Sequence, residues 1–111
     1  MGQVARTIAA GAATSAAFHI SENYVVTGFA FDGALSQTSV SFTAAIDGTT
    51  YVGVEDDASV TFTITAEASK ISMLTTAAKI AAVSPLKDFK VVLGGNNTGA
   101  TVVTALTQRV C

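Results

Sequence analysis

The side chains in this chain that could do chemistry are few and scattered. His19 is the single histidine. It sits in Phe18-His19-Ile20, where alternation turns Phe18 and Ile20 inward and His19 outward. An imidazole works as a general base, or activates a nucleophile, only beside a positioned partner. No second histidine or neighbouring cysteine supplies one, so His19 reads as an exposed strand residue. Glu55-Asp56-Asp57 is the densest carboxylate group. Calcium needs several oxygens converging at short range, whereas three consecutive carboxylates in a turn diverge. The central glycine and distal glutamate of an EF-hand loop are also missing, and the triplet reads as a solvated turn. Gly94-Gly95-Asn96-Asn97-Thr98-Gly99 is glycine-rich but lacks the Gly-Lys-Ser/Thr ending of a phosphate loop, and it links two strands rather than opening a helix. Asn96-Asn97-Thr98 matches a glycosylation sequon only formally.

Cys111 is the single cysteine and the last residue. It excludes an intramolecular disulfide and leaves a plain terminal thiol, with an intermolecular bridge as the alternative. One cysteine and one histidine cannot assemble a zinc site. Hydroxyls are plentiful, but none lies in a nucleophile elbow with a base beside it. The residues therefore predict no catalytic, cofactor-binding or metal-binding site, and no enzyme.

The rest of the composition points the same way. Of 111 residues, 50% are hydrophobic and only 13% charged, with a net charge of −2. That charged share is about half the usual one for a soluble domain. A small, hydroxyl-rich, charge-poor surface loses little solvation when another protein covers it. The six cations, Arg6, Lys70, Lys79, Lys87, Lys90 and Arg109, never form a run, which argues against nucleic acid. No apolar stretch is long enough to span a bilayer, and the first residues do not read as a signal peptide.

Period-2 alternation dominates the chain. Val40, Phe42, Ala44 and Ile46 share one face of a strand and Ser39, Ser41 and Thr43 the other. Val60, Phe62 and Ile64 alternate in the same way with Thr61, Thr63 and Thr65. Threonine suits the wet face because its branched Cβ fits the pleat. Asp47-Gly48 is a hairpin signal joining the first of these strands to a short one at residues 50–54. Tyr24–Phe31 is apolar on both faces and should be central. Residues 16–20 and 71–74 read as shorter strands. Residues 89–93 and 100–110 read as a terminal hairpin around the glycine-rich turn. The one helix candidate is Thr76-Ala77-Ala78-Lys79-Ile80-Ala81-Ala82, stopped by Ser84-Pro85. The expectation is an all-β antiparallel sandwich, jelly-roll-like, with at most one short helix. Residues 1–14 would form an N-terminal arm or a weak edge strand, and residues 15–111 a single sandwich domain. Residues 16–20 and the terminal strand should be its bare edges, and the N-terminal segment should order fully only against a partner.

The order of these elements resembles small phage structural proteins of the head-decoration or head-fibre kind. The resemblance rests on Gly28-Phe29-Ala30-Phe31, on the hairpin through Asp47-Gly48-Thr49-Thr50-Tyr51, and on Phe89-Lys90-Val91-Val92-Leu93. It covers roughly residues 15 to 110 as a pattern. The chain departs from it in the alanine-rich residues 75–84 and in the terminal Cys111. The resemblance implies a virion protein that coats or cements a capsid by binding the major capsid protein. It implies a homo-oligomer, with a trimer favoured, and no substrate or cofactor. The alternative is an adhesive module of tail or fibre type that binds glycan through its loops. That reading needs exposed aromatics, and with no tryptophan in the chain Tyr51 is the loop candidate.

Overall fold

A computed structural model describes residues 2–45, 49–55, 61–74 and 86–109. The expected helix at residues 76–82, the turn Asp47-Gly48, the residues Ile46, Asp56, Asp57 and Val60, and Cys111 all lie outside the described residues. Nine strands follow in order: β1 (Gly2–Ile8), β2 (Phe18–His19), β3 (Tyr24–Phe31), β4 (Ser39–Ala45), β5 (Tyr51–Gly53), β6 (Thr63–Thr65), β7 (Ile71–Met73), β8 (Asp88–Leu93) and β9 (Thr101–Arg109). They form two antiparallel sheets. One has the order β1-β9-β3-β7; the other has the order β2-β8-β4-β5, with β6 also paired to β4.

β8 occupies one flank of β4, so β5 and β6 share the other. β5 pairs with Thr43 to Ala45 and β6 with Ser39 to Ser41. They are one strand interrupted by an excursion, whose base is closed by the Glu55–Thr61 bridge and the Phe62 N–H to Val54 carbonyl bond of 3.0 Å. Counted this way the described residues form eight strands. Every connection from β1 to β4, and from β6 to β9, passes from one sheet to the other. This is the jelly-roll form of the antiparallel sandwich.

The core lies between the layers. Val40, Phe42, Val91 and Phe89 from one sheet meet Val26, Phe29, Phe31, Val103 and Ala105 from the other, all buried. Phe18 stacks on Phe89 at 5.1 Å between centroids, and Phe29 meets Phe89 edge-on at 6.1 Å. Such ring pairs add about 0.5–1.5 kcal/mol each beyond burial. The threonine face of the β6 segment is exposed at Thr61, Thr63 and Thr65, while Ile64 is buried. Phe62, expected in the core, is only partly buried and packs at the core's margin against Phe42. It precedes β6 at the base of the excursion, where the ladder is interrupted.

Three expectations are corrected. β8 and β9 are not a hairpin: they belong to different sheets, and the Gly94–Gly99 loop carries the chain over the end of the sandwich. β9 is not an edge, because β1 and β3 flank it. The N-terminal segment needs no partner in order to pair. Gly2–Ile8 runs antiparallel to β9 along its whole length and Ile8 is fully buried, so ladder bonds and burial offset its ordering entropy.

The flank of β8 occupied by β2 is irregular. Thr14 opposes Val92 and Phe18 opposes Phe89, so four steps on one side match three on the other. That is a bulge. The carbonyl of Ala17 accepts a bond of 2.7 Å from Arg6 Nε, and the Arg6 guanidinium lies 5.9 Å from the centre of the Phe18 ring. The inward-turned arginine of β1 thus ties the two sheets together at their edges.

Candidate functional site

The two outer faces of the sandwich differ in chemistry. On the five-stranded sheet, Ser41, Thr43, Lys90 and the His19–Asp88 pair project outward. On the four-stranded sheet, register places Ala5, Thr104, Ala30 and Ile71 in one outward row. Gln3, Leu106, Gly28 and Met73 form the next row, with Thr7 beside Val102 above. None of these residues is charged. Three of the exposed large hydrophobics stand here: Ile71 at 59%, Met73 at 50% and Val102 at 40% exposure. Alternation generates the face directly, since Arg6, the one cation of β1, falls on the inward parity. Isolated exposed apolar residues are ordinary, but a contiguous uncharged sheet face suits contact with another surface.

At one end of the sandwich the two layers part around an open depression of about 260 Å³ lined by Gly2, His19, Ser21, Tyr24 and Thr107, among others. The inward row Val4–Ala105–Phe29 is filled by core, whereas the terminal row places Gly2 opposite Thr107. A Cβ at Gly2 would lie 2.7 Å from Thr107 Oγ1 and 3.6 Å from Tyr24 Cε2, so the glycine keeps this end unfilled.

His19 is exposed, as its parity requires, yet it has a partner that local sequence could not reveal. Its Nδ1 bonds Asp88 Oδ1 across the β2–β8 pairing, from 69 residues away in sequence. The exposed imidazole is also among the residues lining the depression. Glu55 lies at the excursion's base, bridged to Thr61. Among the described residues no three His, Cys, Asp or Glu side chains gather as metal ligands would. Tyr51, the loop aromatic singled out for sugar stacking, lies in β5 with Lys90 Nζ 4.4 Å from its ring centre, so a cation occupies that face. Tyr24, which drew no notice in the sequence, faces the depression instead.

The glycine-rich loop is more than a turn. Asn97 is fully buried and its amide is saturated. Oδ1 accepts from Ser36 N–H at 2.7 Å and Ser36 Oγ at 2.8 Å, while Nδ2 donates to the carbonyls of Ala34 at 3.1 Å and Gly99 at 2.5 Å. Nearby, Asp32 accepts from the Thr101 hydroxyl, from Ala34 N–H at 3.0 Å and from Val102 N–H at 2.9 Å. Burial pushes the Asp32 pKa up, but the bonds from Thr101, Val102 and Ala34 outweigh it and hold the pKa below the usual aspartate value. These two residues lock the β3–β4 and β8–β9 crossings together.

Fold and surfaces together define a small antiparallel jelly-roll domain with one uncharged sheet face and one polar end depression. Comparison of the chain with protein-family models, with curated proteins and with solved structures finds no match.

Proposed function

We propose that this chain is a non-catalytic structural protein of a virion that decorates or cements a phage capsid by laying the outer face of the β1-β9-β3-β7 sheet on the major capsid protein. The observation that carries the reading is that uncharged face, with Ile71, Met73 and Val102 exposed on it. Covering it removes apolar area from water, and the one carboxylate at its Val102 edge, Asp32, is already hydrogen-bonded to Thr101, Ala34 and Val102. The low overall charge and the pattern resemblance to head-decoration proteins support the same reading. Jelly rolls serve in viral capsid and lectin domains alike, although fold alone does not assign a function. The working form is a homo-oligomer, with a trimer matching capsid three-fold axes.

Cosedimentation of the full chain with bare capsids of the source particle tests this. The wild-type chain should pellet with the shell. Ile71→Glu and Val102→Glu, with unchanged melting temperatures, should each weaken binding about ten-fold or more, which corresponds to about 1.4 kcal/mol. Equal binding by the variants, or no binding by the wild type, would refute the reading.

A further inference from the structure

We infer that the depression at the open end of the sandwich is a binding site for a neutral sugar. Thr107 carries the inference furthest. The residue is 3% exposed, and its hydroxyl has no hydrogen-bond partner among the described residues. Thr107 is one of the residues that line the depression. Nearly buried hydroxyls are almost always paired, so this one is set to pair with whatever enters. Ser21 Oγ and Tyr24 Oη, from residues lining the same space, likewise have no partner among the described residues. His19, held by Asp88 through Nδ1, lines the same space.

The lining itself contains no lysine or arginine, and the nearest cation with a bond to it, Lys87, spends Nζ on the Tyr24 carbonyl, so a neutral ligand fits better than phosphate, sulfate or carboxylate. Hydroxyls that both donate and accept, beside a tyrosine ring, match a polyhydroxylated ring whose edge is polar and whose C–H face is apolar. A volume of about 260 Å³ falls just below the about 300–1,000 Å³ clefts that take drug-sized ligands, and leaves room for a single ring. Gly2 keeps that room open, because any Cβ there would press on Thr107 Oγ1. The site lies at the end of the sandwich and is independent of the sheet face proposed for capsid contact.

A titration of the full-length ¹⁵N-labelled chain with glucose, galactose, mannose and N-acetylglucosamine, read by amide chemical shifts, tests the inference. At least one sugar should give saturable shifts, centred on Gln3, His19, Ser21, Tyr24 and Thr107, with a dissociation constant of about millimolar order. Thr107→Val, which keeps the shape and deletes the hydroxyl, should weaken that binding about five-fold or more. Gly2→Val should abolish it by filling the space and serves as the second variant should Thr107→Val fail to fold. Ile71→Glu should bind sugar as the wild type does, whatever it does to capsid binding. Absence of saturable shifts with all four sugars, shifts centred elsewhere, or undiminished binding by both folded site variants would overturn the proposal.

Discussion

Asn97 spends every hydrogen-bonding position of its amide on the loop between residues 32 and 38 and on its own turn. Neither the sequon-like Asn96-Asn97-Thr98 nor the glycines around it reveal this, since Ser36 and Ala34 lie more than sixty residues away. Asn97→Ala would strand Ser36 N–H and two carbonyls, so it should cost about 3 kcal/mol or more by chemical denaturation. An aspartate in its place would set a carboxylate against the Ala34 and Gly99 carbonyls and should cost no less. Asp32 gives the loop cluster a pH dependence. Its folded pKa is depressed, so its contribution is present above the unfolded value of about 3.9 and is lost as pH falls through the lower folded value. Melting temperature measured from pH 6 downward should therefore drop for the wild type below about pH 4. Asp32→Asn should start lower and show a shallower acid limb; an acid limb identical to the wild type would remove Asp32 from the account.

Strands with a strong apolar pattern are legible in the sequence, and those whose pattern is broken by an inward charge are not. β3 and β4 follow from Tyr24–Phe31 and from Val40 and Phe42, because both faces of each residue row have one environment. β1 reads only as an arm or a weak edge strand because its inward parity is glycine, valine, arginine, isoleucine, and an inward arginine breaks the apolar count. Only long-range geometry, with Arg6 reaching Ala17 and the ring of Phe18, explains it. The hairpin reading of β8 and β9 fails for a related reason: short separation favours pairing, but the Asn97 lock turns the chain across layers. Gly28, first of the Gly-Phe-Ala-Phe pattern, has a physical role at this scale. It follows the β-bulge in β3, and a Cβ there would meet both the Ser72 carbonyl and Met73 Sδ at 2.9 Å. Gly28→Ala should push β7 off the sheet edge. The expected signature is faster amide exchange at Leu74, whose N–H bonds the Thr27 carbonyl, and at Ser72, its neighbour on the bonded side of the same ladder, with little change in the β4–β8 ladder; uniform exchange across both sheets would refute the close-approach argument.

Across the whole molecule, charge is distributed by face. Lys90, Asp88 and His19 fall on the outside of the five-stranded sheet, while the outward rows of the four-stranded sheet carry no charge and its arginines, Arg6 and Arg109, fall on the inward parity. Composition announces a charge-poor protein but cannot say that its charges avoid one side, because the side exists only once β9 lies between β1 and β3. Electron cryomicroscopy of capsids saturated with the purified chain tests the central claim most directly. The account predicts density for the jelly roll at or around three-fold axes, with β1, β9, β3 and β7 against the shell and Ile71, Met73 and Val102 at the contact. Bound density oriented with the β2-β8-β4-β5 sheet on the capsid, or capsids that stay bare at saturating chain, would contradict it.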